Sequence, residues 1–143
     1  MAANLKAFLK ENAVVRDDVF VAVSKRFVGE DGAPIQWQVS PITATQDEEV
    51  RKRCTRRVPV PGKKNMYHPE IDYDAYLGAL AAKCTVFPNL NDAELQDSYG
   101  VKGAGECLKA MLEPGEYYDY LAKVQKINGF DVTMDEKVEE AKN

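Results

Sequence analysis

Histidine and cysteine are the residues from which a metal site or a nucleophilic pair would be assembled. The chain has one histidine, His68, and three cysteines, Cys54, Cys84 and Cys107. No two cysteines have the CxxC spacing that lets neighbouring thiolates grip a zinc ion. A cysteine–histidine nucleophile also needs a third group to orient the base and donors for an oxyanion, and nothing local supplies them. Cys84 and Cys107 fall inside apolar helical patterns and read as small core residues. The carboxylates are no better placed. Asp72 and Asp74 flank Tyr73, and Glu139 adjoins Glu140, but neither pair has the apolar neighbours that would raise a carboxyl into the range of a general acid. Asp72 and Asp74 are instead favourable charges at a helix start. Gly100, Gly103 and Gly105 bunch before a helix as in a phosphate loop. They lack the preceding strand, the Gly-Lys-Ser/Thr ending and the dinucleotide spacing, so a helix–helix turn is expected. The chain is read as no enzyme, without cofactor or metal.

Charge is the remaining chemical signal. The net charge of −4 hides an uneven distribution: residues 1–50 carry −3, residues 51–64 carry +7 and residues 65–143 carry −8. Arg51, Lys52, Arg53, Arg56, Arg57, Lys63 and Lys64 form a basic island between acidic flanks. Such clusters neutralise phosphates, so a nucleic-acid-binding or regulatory role through 51–64 is the alternative function. Tyr67 is the one aromatic nearby, which leaves no stacking platform. The preferred reading is a solvated helix face and turn tip complementary to acidic surface in the same fold, a second copy or another protein.

The elements that carry these residues follow from periodicity. Leu5, Phe8 and Leu9 stand at i, i+3, i+4 on a two-turn amphipathic stretch, too short to be stable alone in water. Residues 1–17 are therefore expected to be a mobile amphipathic segment in need of a docking surface. Residues 19–28 and 35–42 alternate apolar with polar around Gly29–Gly32 and predict a β-hairpin with one buried face. Thr45 to Glu48 has capping-box spacing for a helix over 46–56, acidic at its start and basic at its end through Arg53, Arg56 and Arg57. Val58–Val60 and Met66–Tyr67 predict a second small hairpin around a Gly-Lys-Lys tip, its prolines confining it to an edge. A helix over 73–84 presents Tyr73, Tyr76, Leu77, Leu80 and Cys84 to the core. Three further helices follow. The first is capped by Asn91 or Asp92, with Glu94 placed for a capping box, and ends at Tyr99–Gly100. The second runs over 103–112, and the third runs from Pro114 to Asn128–Gly129. Tyr117, Tyr120, Leu121, Val124 and Ile127 line one face of the last. Thr133 to Glu136 opens a short acidic C-terminal helix. The whole is an α+β fold: a small N-terminal antiparallel β-sheet packed with a predominantly helical C-terminal half, in a single domain over 1–143.

Three unpaired, widely spaced cysteines and the lack of a secretory leader suit a reducing cytoplasm. No apolar run approaches the ~18–20 residues of a membrane span.

The stretch LNDAELQDSYGVKGA…LKAMLEPGEY…VQKINGF, within residues 87–130, closely resembles the XkdN-like tail assembly chaperones of tailed bacteriophages. KRFVGEDGAPIQWQVSPIT (Lys25–Thr43) is similar to that family's strand–turn–strand with a tryptophan after the turn, and EEVRKRCTRRV to its charged helix. The resemblance implies a non-enzymatic helper that binds the long, helical tape-measure protein and keeps it soluble during tail assembly. It further implies a protein of the bacterial host's cytoplasm, absent from the mature virion, and self-association into a homo-oligomer. A frameshift-extended form of the same protein is an implied partner, and the present chain resembles the short form. Client contact requires exposed apolar groups flanked by charge. Leu5, Phe8 and Leu9, with Tyr117, Tyr118 and Tyr120, are the candidates, the three tyrosines spanning too much of one helix for all to be core.

Overall fold

Alternation on either side of Gly29–Gly32 does produce a hairpin, in shorter strands than expected. In the computed structural model, which describes residues 5–130, β1 (Val19–Val21) pairs antiparallel with β2 (Trp37–Val39), placing Val21 opposite Trp37 and Val19 opposite Val39. The ladder stops at Val21, and the segment that follows it, from Ser24 on, is committed elsewhere. The Ser24 hydroxyl is buried and accepts the Arg26 N–H at 3.1 Å. The Arg26 guanidinium donates to the Met111 carbonyl and lies 3.6 Å from both Glu113 and Glu116. Ser24 first, then the Glu113 N–H, holds the Glu116 carboxyl below the usual carboxylate range.

A third strand, β5 (Thr85–Phe87), joins the other side of β2 and gives the order β1-β2-β5, with a register irregularity between Gln38 and Val39. Sequence reading missed it, since three residues between a helix end and Pro88 carry no period of their own.

Helix α1 (Ala44–Arg53) starts two residues earlier than predicted. Thr43, not Thr45, is the N-cap: its hydroxyl accepts the Gln46 N–H at 3.2 Å and Gln46 Oε1 accepts the Thr43 N–H at 2.9 Å. Both threonines satisfy the spacing, and tertiary structure chooses between them. Ile42, the residue before the cap, donates its N–H to Asn128 Oδ1 at 2.9 Å, so the chain arrives positioned to turn. The helix also ends early, at Arg53. Val58 and Val60 each precede a proline, which disfavours the helical region, and the segment becomes β3 (Thr55–Pro59), paired in full register with β4 (Tyr67–Ile71). Arg56 and Arg57 therefore stand on a strand, not on the end of a helix.

Helix α2 (Tyr73–Cys84) has the predicted bounds and is capped by Asp72, whose carboxylate accepts the Ala75 N–H at 3.2 Å. Tyr76, Leu80 and Cys84 are buried as expected, with Ala81 beside them, while Tyr73 is more than half exposed. This helix packs against α1 and against two later helices, α4 (Ala104–Met111) and α5 (Pro114–Ile127), and so forms the middle of the fold. Between them, α3 (Ala93–Ser98) is capped by Asp92 rather than Asn91, which puts Glu94 one position short of a capping box. Gly100 closes α3 at φ +66° and Gly129 follows α5 at φ +85°, conformations that favour glycine. Asn128, the C-cap of α5, also donates to the Val124 carbonyl at 2.9 Å and to Cys84 Sγ at 3.3 Å, tying α5, α2 and the Ile42 backbone together. The predicted capping box at Thr133 and the acidic C-terminal helix lie outside the described residues.

One cluster of buried side chains unites these elements, with Trp37, Tyr76, Tyr120, Leu80, Leu90 and Leu108 among the largest fully enclosed. Tyr120 donates to or accepts from Thr85 Oγ1 at 2.6 Å, and burial pushes its phenol up to about 12. Burial and the Asp47 carboxylate push Tyr76 in the same direction. In the unfolded chain these phenols ionise near pH 10, where the folded protein still holds them neutral. Their contribution to stability is complete below pH 10 and is withdrawn as pH climbs toward 12. Denaturant titrations should lose on the order of 2 kcal/mol across that window. Tyr120→Phe should lose less, and an unchanged midpoint would contradict the enclosure of both hydroxyls.

Candidate functional site

Among the described residues, the groups singled out for chemistry do not converge. No cluster of three or more potential metal ligands exists among the described residues. His68 lies on the solvent-exposed β4, its Nε2 3.5 Å from Glu70 Oε2. Cys84 and Cys107 are buried and their thiols are pushed up by burial, which keeps them protonated and inert. An open groove between α2 and α4 is lined by Ala75, Ala79 and Ala82 and by Glu106 and Lys109, which pair along α4 at 3.9 Å.

The residues proposed to contact a partner fall into two environments. Leu5–Phe8 forms a single 3₁₀ turn that buries no side chain. Leu5 and Phe8 are about three-quarters exposed, Leu9 is 43% exposed, and Val14 and Val15 beyond it are almost fully exposed. This arm meets the body where Arg16 donates to the Ile127 carbonyl at the end of α5. The tyrosines divide. Tyr117 and Tyr120 point into the core, Tyr120 packing edge-on against Trp37 at 5.4 Å, whereas Tyr118 is 69% exposed with its ring 5.5 Å from that of Tyr117.

A second apolar surface was not anticipated. The register sets Phe20, Gln38 and Phe87 side by side on the outer face of the sheet, and both phenylalanines are more than half exposed, with Val86 exposed beside them. Gln38 is held there by Asp18, which accepts its amide N–H at 2.7 Å. Alternation around Phe20 was the available signal for one side of this surface. Val86 and Phe87 became visible only with β5.

The basic island is divided among several tasks. Arg51 is occupied internally: Nε meets Asp47 Oδ2 at 2.9 Å, Nη2 donates to Tyr76 Oη at 3.2 Å, and the guanidinium lies 4.4 Å from the Tyr76 ring centre. The Tyr76 hydroxyl donates to the other Asp47 oxygen. Lys52 lies 3.7 Å from Glu48. Arg57 stacks 5.1 Å from the ring centre of Tyr67, and Arg56 is registered opposite Glu70. Arg53, Arg56, Lys63 and Lys64 belong to no ion pair among the described residues. β3 and β4 thus form a two-stranded ribbon with most side chains in solvent, its tip carrying Lys63 and Lys64 between Gly62 and Asn65, both at positive φ.

The whole chain has relatives. A 141-residue alignment at 31% identity covers 98% of it and 93% of the uncharacterized protein YqbN of Bacillus subtilis (strain 168). The phage-like element PBSX protein XkdN of the same organism is 29% identical over 141 residues, 98% of this chain and 94% of the relative. The crystal structure of the protein YqbN superimposes with a TM-score of 0.77 at 27% identity, over 92% of this chain and all of that one. Residues 5–142 match the family described as phage XkdN-like tail assembly chaperone protein, TAC. The chain belongs to the XkdN-like phage tail assembly chaperone family.

Proposed function

We propose that this protein binds the tape-measure protein of a tailed phage or prophage and holds it in solution in the host cytoplasm until the tail tube is built around it, leaving before the virion is complete. Beside family membership, the observation that carries this reading is the exposure of large apolar side chains on two surfaces. One is the Leu5/Phe8/Val14/Val15 arm and the other the Phe20/Val86/Phe87 sheet face, with Tyr118 exposed on α5. A tape-measure client is long and helical, and an amphipathic helix offers repeated apolar stripes to such patches. Contacts of this kind are individually weak, which suits a helper that must later release its client. Binding nucleic acid through 51–64 is the weaker reading, because Arg51 and Lys52 are already engaged by Asp47 and Glu48 within the chain.

Co-expression tests the proposal. The tape-measure protein should be soluble and co-purify with the full chain, and be insoluble alone. Leu5→Ser with Phe8→Ser, or Phe20→Ser with Phe87→Ser, should weaken capture by at least about tenfold while leaving the thermal transition in place, since burial of each such side chain contributes about 1.5–3 kcal/mol. A client that stays insoluble and unbound in every co-expression format would overturn the reading.

A further inference from the structure

The β3–β4 ribbon is poorly supported by its own body. Two-stranded ribbons are marginal in water without a third strand or a helix to cover them. Here Val58 and Ile71 alone are half-buried, and the rest of both strands is exposed on both faces. Its base is anchored by the Thr55 hydroxyl to the Arg51 carbonyl and by the Asp72 N–H to the Cys54 carbonyl, both at 2.8 Å. From that base the strands reach about 20 Å to the tip, at ~3.3 Å per residue. Met66 and Tyr67, each about half exposed, flank the tip on the returning strand.

The complementary surface is on the same chain. No lysine or arginine occurs between Lys83 and Lys102, a stretch that holds Asp92, Glu94 and Asp97. Glu94 and Asp97 stand three residues apart on the exposed side of α3, and neither has an ion-pair partner among the described residues. Arg56, Lys63 and Lys64 are equally unpaired on the ribbon.

We infer that the β3–β4 ribbon is a self-association arm that docks its Lys63/Lys64 tip on the Glu94/Asp97 face of α3 in a second copy of this chain. The ribbon tip and α3 are different surfaces of one chain, so two copies can exchange ribbons about a two-fold axis or pass the contact on into rings and open chains. A polyanion is a poorer occupant. The chain's net charge of −4 repels it, and Arg57 already occupies one face of Tyr67, the one ring nearby that could stack on a base. The inference is independent of the client reading, because it concerns the protein alone.

Sedimentation velocity of the full chain over a range of concentrations tests it. Association should appear at low salt and weaken about tenfold or more at about 0.5 M salt. Lys63→Glu/Lys64→Glu and Glu94→Lys/Asp97→Lys should each raise the dissociation constant about tenfold, both with normal thermal transitions. An equimolar mixture of the two should associate again, since each acidic ribbon then meets a basic α3 and each basic ribbon an acidic one. A wild-type chain that is monomeric throughout would overturn the inference. So would association indifferent to both reversals, or a mixture that stays dissociated. Duplex DNA binding abolished by Lys63→Glu/Lys64→Glu, without any self-association, would replace the second copy with nucleic acid.

Discussion

Replacing Trp37 by alanine is expected to cost about 3–5 kcal/mol, the range for truncating a large enclosed aromatic. The side chain is 1% exposed on the inner face of β2 and is the chain's one tryptophan. It stands edge-on to Tyr120 at 5.4 Å and tilted to Phe27 at 6.5 Å, so it joins the sheet to α5 and to the loop that Arg26 holds down. Truncation withdraws the shared wall of three elements at once, and the cavity cannot collapse because β2 is paired on both sides. A domain of this size has roughly 5–15 kcal/mol of stability in all. The variant should therefore melt lower by on the order of 15 °C. Circular dichroism is the measure to use, since the mutation removes the fluorophore. Trp37→Phe retains a ring for Tyr120 and should recover a good part of the loss. A cost below about 1 kcal/mol for the alanine variant would mean that the sheet is not seated on α5 as described.

The elements that could be read from sequence were those whose signals are local. The bounds of α2 follow from Asp72 and a single apolar stripe, and α5 lies between a first-turn Pro114 and the Asn128–Gly129 pair. What remained hidden was decided by partners distant in the chain. Thr43 and Thr45 have equal claims to cap α1, and the choice lies with Asn128, 86 residues from Ile42. Arg56 and Arg57 look like the basic end of a helix until β4 is available to pair with their strand. Tyr117, Tyr118 and Tyr120 could not all face inward, and α2 with the sheet decides that Tyr118 is the one left outside. The same holds for function. The family was legible from local stretches such as residues 87–130. The outer sheet face was not, because Phe20 and Phe87 become neighbours only through Gln38. Tertiary pairing, which no local pattern encodes, creates that surface.

The close approach of α2 and α5 rests on an absence, and its removal should be measurable. Gly78 is buried in the middle of α2, where alanine would ordinarily favour the helix by about 1 kcal/mol. A Cβ at this position would stand 2.6 Å from the Tyr117 hydroxyl, well inside contact distance, and 3.9 Å from the ring carbon that carries it, which is ordinary contact. The conflict is thus with one oxygen atom. That oxygen cannot swing away cheaply, because the Tyr117 ring is nearly buried and packs against Tyr118. Overpacking of this kind costs typically 1–3 kcal/mol, enough to cancel the helix gain and leave Gly78→Ala destabilised by about 1–2 kcal/mol. Tyr117→Phe should be near neutral, since the hydroxyl makes no hydrogen bond to another described residue. Combined, the two changes leave the methyl in ordinary contact and release the helix gain, so the double variant should equal or exceed the parent in stability. The coupling read from a denaturant double-mutant cycle should be about 2–3 kcal/mol and favourable. Additive effects, or a Gly78→Ala variant that is more stable by itself, would place the two helices farther apart than the Tyr117 hydroxyl requires. Because α2 also meets α1 and α4, that spacing sets the position of the Phe87 strand that continues from its end, and with it the outer sheet face.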